Sequence, residues 1–186
     1  MRLRLSVTSV DELHLPAVYA RILTRQGYPA LSQHGTAGAV TTELLRTMRR
    51  FRVEVVAYCM MPDQVSVLVA ATEPGADAHG AIRRWKQVSG ASHRGRTGRT
   101  LWKPRTPVWR IELASEVLEV AGHLVLEPVR RGIVRSVQEY RWLSAPPPVL
   151  RHLAARGKPP QIPRWWPCET SVPATSERRT SRSFPR

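Results

Sequence analysis

The stretch that leaves this chain the least freedom is residues 53–71. Residues 53–61 read VEVVAYCMM, a nearly continuous apolar run of strand length. Such a run predicts a strand buried on both faces or nearly so. Met61-Pro62-Asp63 interrupts it, and residues 64–71 resume with Val65, Val67 and Val69 on one side. Two adjacent antiparallel strands joined by a tight turn at Pro62-Asp63 satisfy this pattern.

A sheet of that kind needs apolar cover, and three segments have the period to supply it. Residues 41–51 place Leu44, Leu45, Met48 and Phe51 on one helical face, with Arg46, Arg49 and Arg50 mostly off it. Residues 77–88 form a second helix through Ala81, Ile82, Trp85 and Val88. Residues 115–126 form a third, with Val117, Leu118, Ala121, Leu124 and Val125 as its stripe and Pro128 and Gly132 bounding its end. Alternation at Leu3, Leu5 and Val7 predicts a first strand with one wet face, and residues 108–113 predict a short one. Between residues 11 and 38 only a turn at Gly27-Tyr28-Pro29 stands out. Residues 89–100, rich in Gly, Ser and Arg, are expected to be a loop. From residue 145 onward Pro, Arg, Ser and Thr dominate, a composition that cannot build a core. The expected organisation is therefore a domain over 1–144 and an irregular tail over 145–186 with a short helix at 149–156, and no internal repeat is present.

Charge narrows the partner. Twenty-nine Lys and Arg against fourteen Asp and Glu give a formal net charge of +15 among 186 residues. An excess of this size favours a polyanion, because each neutralised phosphate releases condensed counterions. Nucleic acid is favoured over an anionic membrane, since no basic amphipathic helix with a broad apolar face is present. No apolar run approaches the ~18 residues that span a bilayer, and the first residues, MRLRLSV, lack the features of a signal peptide. The expected location is cytoplasmic, with no membrane partner. Cys59 sits in the apolar run and Cys168 in the polar tail, so neither a disulfide framework nor zinc spacing is present.

The basic residues are concentrated. Arg83, Arg84, Lys86, Arg94, Arg96, Arg99, Lys103, Arg105 and Arg110 fall between residues 82 and 110 with no acidic residue among them. These are the candidate phosphate contacts. Trp85, Trp102 and Trp109 lie between them, placed either for base stacking or, as favoured for Trp85 and Trp102, in the core. In the tail, Trp165 and Trp166 are adjacent large apolar side chains, expected to dock onto this domain, a second copy or a protein partner.

Residues 54–69, EVVAYCMMPDQVSVLV, resemble the HUH single-tyrosine transposases, including those associated with repetitive extragenic palindromes. In that family a His–hydrophobic–His triplet follows Met-Pro-Asn or Met-Pro-Asp and opens the next strand. Residues i and i+2 of a strand share a face, which lets two imidazoles meet one metal ion. Here the triplet is Gln64, Val65, Ser66. Leu101-Trp102-Lys103 resembles the family's Leu-Trp-Gln element, and residues 122–134, GHLVLEPVRRGIV, resemble its "Tyr-Ile-His-Leu-Asn-Pro-Val-Arg-Ala-Gly-Leu-Val" stretch. Glu139-Tyr140-Arg141-Trp142-Leu143-Ser144 resembles the tract that closes the family's domain.

The resemblance implies an α+β, ferredoxin-like antiparallel sheet with helices on one face, and a homodimer. It also implies covalent catalysis by a tyrosine on a DNA phosphate, assisted by a divalent metal. At the matching positions stand His123 for the tyrosine and Glu127 for the further helix ligand, beside Gln64 and Ser66. Gln and Ser are weak, neutral ligands for a cation that prefers carboxylates or phosphates. The expectation is thus a transposase-like protein that binds a DNA hairpin or single strand without cutting it and needs no cofactor. Two alternatives stand beside it: an active nicking enzyme with altered metal ligands, which would require divalent metal, and an RNA- or ribonucleoprotein-binding interaction protein.

Overall fold

The computed structural model describes residues 14–145, 147 and 149–151. Its strands are β1 (His14–Leu23), β2 (Val53–Met61), β3 (Gln64–Ala71), β4 (Val108–Ile111) and β5 (Leu143–Ser144). The helices are α1 (His34–Arg50), α2 (Ala78–Thr97) and α3 (Ala114–Arg130), with 3-10 turns at Arg25–Gly27, Ala30–Ser32 and Val137–Glu139. All strand pairings are antiparallel, in the order β4-β1-β3-β2-β5. The first six elements, β1-α1-β2-β3-α2-β4, form a ferredoxin-like unit, and α3 and β5 are added to it.

The two valine-rich runs form the strands their pattern predicts, with the same bounds, turning at Pro62-Asp63. On β3, Val65, Val67 and Val69 face one core together with Val18, Ala20 and Ile22 of β1, Leu44 and Met48 of α1, and Ile82 and Trp85 of α2. Leu68 and Ala70 face the other, with Ala17, Tyr19, Ala57 and Cys59, under Val117, Val120, Ala121, Leu124 and Val125 of α3. The ferredoxin-like unit thus carries its two helices on one face, as expected, and α3 covers the face that such a unit leaves open.

Several elements depart from the sequence pattern, among them α1, which starts at His34 rather than at residue 41. β1 had no legible signal because both its faces are buried, so apolar and polar residues do not alternate; Pro16 sits where its pairing to β3 is irregular, between His14 and Val18. The strand expected at residues 3–7 lies outside the described residues. α2 continues through residues 89–97, where a loop was expected. Buried Ser89 and His93 extend the stripe of Trp85 at four-residue steps, and the helix ends only at Gly98, whose φ of 71° closes it. Likewise α3 runs through Pro128 to Arg130, and Gly132, with φ 66°, follows its end.

The start of α2 depends on a single side chain. Asp77 Oδ1 accepts the Gly80 amide at 2.7 Å. Asp77→Ala is expected to lower the unfolding free energy by about 1 kcal/mol, measurable as a shift of the denaturant midpoint at unchanged slope. Beyond β5, residues 149–151 are helical and Val149 is buried in the core beneath α3. Trp165, Trp166 and Cys168 lie outside the described residues. No helix among the described residues is long and apolar enough to cross a membrane.

Candidate functional site

Gln64 and Ser66 point to the same face of β3, as i and i+2 must, and both are fully buried beneath α3. Above them Glu127 of α3 receives a hydrogen bond on each carboxylate oxygen. Gln64 Nε2 donates to Oε1, and Ser66 Oγ donates to Oε2 at 3.1 Å. On the adjacent strand Arg21 reaches Gln64 Oε1 with Nε at 3.0 Å and Nη2 at 2.7 Å. Arg131, just past the end of α3, pairs with Asp63 at 2.9 Å and turns a second nitrogen toward Gln64 Oε1 at 3.4 Å. The continuation of α3 past Pro128 creates this arrangement, because it carries Arg131 back over the β2–β3 turn.

The remaining polar groups here are equally committed. Arg130 Nη1 lies 2.9 Å from His123 Nδ1. A guanidinium only donates, so Nδ1 is the acceptor of this contact. His123 is fully buried. Tyr19, which matched no motif, is brought to this spot by β1 and pairs with Ser66; burial pushes its phenol far above the usual range. Tyr140 donates to Met60 O at 2.6 Å, and burial raises it too, as it raises Tyr58. The Cys59 thiol is pushed up by burial and then by the charge of Glu127. No exposed nucleophile emerges from this set.

The same residues can be tested against a divalent cation. Both oxygens of Glu127 are engaged by the two residues at the strand positions, and the Gln64 carbonyl faces Arg21 and Arg131. A dication bound there would compete with two guanidinium groups for one neutral oxygen. The donor set does not fit a metal ion, and no group of three or more His, Cys, Asp and Glu among the described residues could hold one.

Several of the basic candidates lie on a different surface. One stripe of α2, comprising His79, Ile82, Arg83, Lys86, Gln87, Gly90, Ala91 and Arg94, faces residues 100–108 across a groove of about 620 Å³. The far wall is held by main-chain bonds: Lys103 N to Leu23 O at 2.9 Å and Arg25 N to Leu101 O at 2.8 Å. Trp102 anchors it, donating Nε1 to Ser89 Oγ at 3.0 Å. A Cβ at Gly90 would meet the Trp102 ring at 3.2 Å, so this glycine lets the wall close on the helix. Trp85 donates to Val40 O and is buried, so Trp85 and Trp102 are core residues; Trp109 stacks on Tyr19.

Of the basic candidates, Arg83, Lys86, Arg94 and Lys103 line the groove, joined by Arg25, which the sequence pattern did not single out. Lys86 is drawn inward to Pro104 O and Thr106 Oγ1, both at 2.7 Å, and burial lowers its pKa. Arg99 borders a smaller adjoining hollow of about 410 Å³ with Tyr28 and His93, and Arg25, Thr100 and Leu101 belong to both depressions. Buried His93 keeps Nδ1 without a partner, and burial followed by the charge of Arg96 lowers its pKa. Arg84, Arg96 and Arg105 line neither depression, and Arg110 is paired with Glu112 on the edge strand. The basic run of residues 92–99 is thus mostly helix rather than a loop able to mould itself to a ligand.

No family profile and no curated protein matches this sequence. Among solved structures, the chain is similar to a REP-associated tyrosine transposase bound to a REP hairpin, with a TM-score of 0.60 and 15% identity, covering 80% of this chain and 86% of that one. A protein described as a transposase from Deinococcus radiodurans R1 aligns with a TM-score of 0.46 and 15% identity, over 70% of this chain and 95% of that one. The first likeness makes the fold transposase-like.

Proposed function

We propose that this chain is a transposase-like protein that binds a DNA hairpin or single strand and does not cleave it. The observation that carries this reading is the closed network of Arg21, Asp63, Gln64, Ser66, Glu127 and Arg131. Each polar atom that would have to reach a metal or a phosphate there is engaged by a neighbour in the protein. By contrast, no ion pair among the described residues engages Arg25, Arg83, Arg94, Arg99 or Lys103. Binding groups are therefore available and cutting groups are not. The similar structure's REP hairpin supports DNA as the ligand.

The purified protein is expected to form no covalent adduct with single-stranded or hairpin DNA in Mg²⁺ or Mn²⁺, assayed by denaturing gel. An adduct that disappears in His123→Ala would establish the opposite, that of an active nicking enzyme. Equal or tighter binding to RNA hairpins than to DNA hairpins would favour an RNA-binding interaction protein. A homodimer, and docking of the tail through Trp165 and Trp166, complete the proposal.

A further inference from the structure

We propose that the hollow beside the groove, between the turn at residues 25–28 and the end of α2, takes a single phosphate-type oxyanion, held by Arg25, Arg99 and His93. Its lining is rich in donors: Arg25, Gln26, His93, Arg99 and Thr100, with only Ala30 and Leu101 apolar. No acidic side chain lines it among the described residues. Tyr28, the other ring in the hollow, already carries the Arg99 guanidinium 5.7 Å from its centroid. A flat apolar ligand would find no bare ring to stack on. A tetrahedral anion would find two guanidinium groups and an imidazole converging on it.

Two features separate this hollow from a chance gathering of surface charge. His93 is only 4% exposed, yet its Nδ1 has no hydrogen-bond partner among the described residues. Buried polar atoms are normally paired, so an unpaired imidazole in the wall of a cationic hollow calls for a ligand. The cations are also held in place. Thr97 Oγ1 donates to His93 O at 2.9 Å and accepts the Arg99 amide at 3.2 Å, which ties Arg99 to the turn of α2 that carries His93. Opposite, Arg25 N bonds Leu101 O at 2.8 Å, and the chain turns there through Gln26 at φ 58° and Gly27 at φ 69°. A non-glycine residue in that region is strained and persists only where its surroundings fix it. Burial, then the charge of Arg96, keeps His93 below its ordinary pKa, so near neutral pH the ring offers one N–H. The charged and titratable side chains sharing the hollow are Arg25, Arg99 and Tyr28. A bound oxyanion would be the first anion beside the ring, and it would favour the imidazolium.

The test titrates sodium sulfate into the full chain at constant ionic strength, balanced with sodium chloride, and follows the His93 imidazole by NMR. Sulfate keeps its charge across the neutral range, whereas phosphate titrates there. A saturable shift is expected with sulfate and not with chloride, together with a rise of the His93 pKa in sulfate. Arg25→Gln with Arg99→Gln, both at exposed positions, is expected to abolish both effects. His93→Gln is expected to weaken sulfate binding about 10-fold, followed by calorimetry. A non-saturating response equal to that of chloride, or saturation unchanged in the double variant, would overturn the site whatever the protein does with DNA. Two further outcomes support it and identify the source of the anion. If sulfate weakens DNA binding in the wild type but not in the double variant, the hollow holds a phosphate of the DNA strand. If sulfate and DNA bind without affecting each other, it holds a free oxyanion.

Discussion

Raising salt from 50 to 200 mM is expected to weaken DNA binding by about 60- to 1,000-fold. The contacts proposed are arginine and lysine to phosphate, and each neutralised phosphate contributes about −0.7 to the log–log salt slope for a single strand. Five cations without an ion pair among the described residues, Arg25, Arg83, Arg94, Arg99 and Lys103, border the groove and its neighbouring hollow. Engaging them gives a slope of roughly −3 to −5. Changing Arg94, Arg99 and Lys103 to Gln together should flatten the slope by about two units. Arg84→Gln with Arg96→Gln removes charge from exposed positions off the groove and should leave the slope nearly unchanged. A triple variant that keeps the wild-type slope would show that these side chains are only solvated, and fluorescence anisotropy across a salt series decides the matter.

Glu127→Ala is expected to destabilise the fold by about 3 kcal/mol. The substitution leaves Gln64 Nε2 and Ser66 Oγ without their acceptor in a fully buried position. It also removes the carboxylate that holds Gln64, toward whose Oε1 Arg21 and Arg131 remain oriented. A carboxylate kept for metal chemistry behaves differently, because its removal relieves strain and commonly leaves stability unchanged or improved. Equilibrium unfolding of the variant therefore separates the two roles. A midpoint at or above wild type would mean that Glu127 serves something other than the fold.

Much of this architecture could be read from residues 53–71, where strong apolar patterning and one Pro-Asp turn leave a single solution. β1 escaped because a central strand buried on both sides shows no alternation. The second half of α2 escaped because Ser, Gly and Arg suggest a loop by composition; the signal that mattered was the placement of Ser89 and His93 one and two steps beyond Trp85. At the polar network, the resemblance led to Gln64, Ser66, His123 and Glu127 together, the i and i+2 spacing saying only that the first two share a face. Arg21, Asp63 and Arg131 belong to it only because β1 pairs with β3 and α3 ends over the turn, relations that no local pattern encodes. Arg25 was missed for a similar reason, being one arginine in a short turn until its main chain pairs with Leu101.

The length of α2 has its own consequence. From His79 to Arg94 the groove-facing stripe covers sixteen residues, fifteen helical steps, about 22 Å at the helical rise of 1.5 Å. At roughly 3.4 Å per stacked nucleotide that rail matches about six nucleotides. On the DNA-binding proposal α2 would act as a ruler: oligonucleotides shorter than this would reach only one end of it, and affinity should climb with length up to about six nucleotides and then level off.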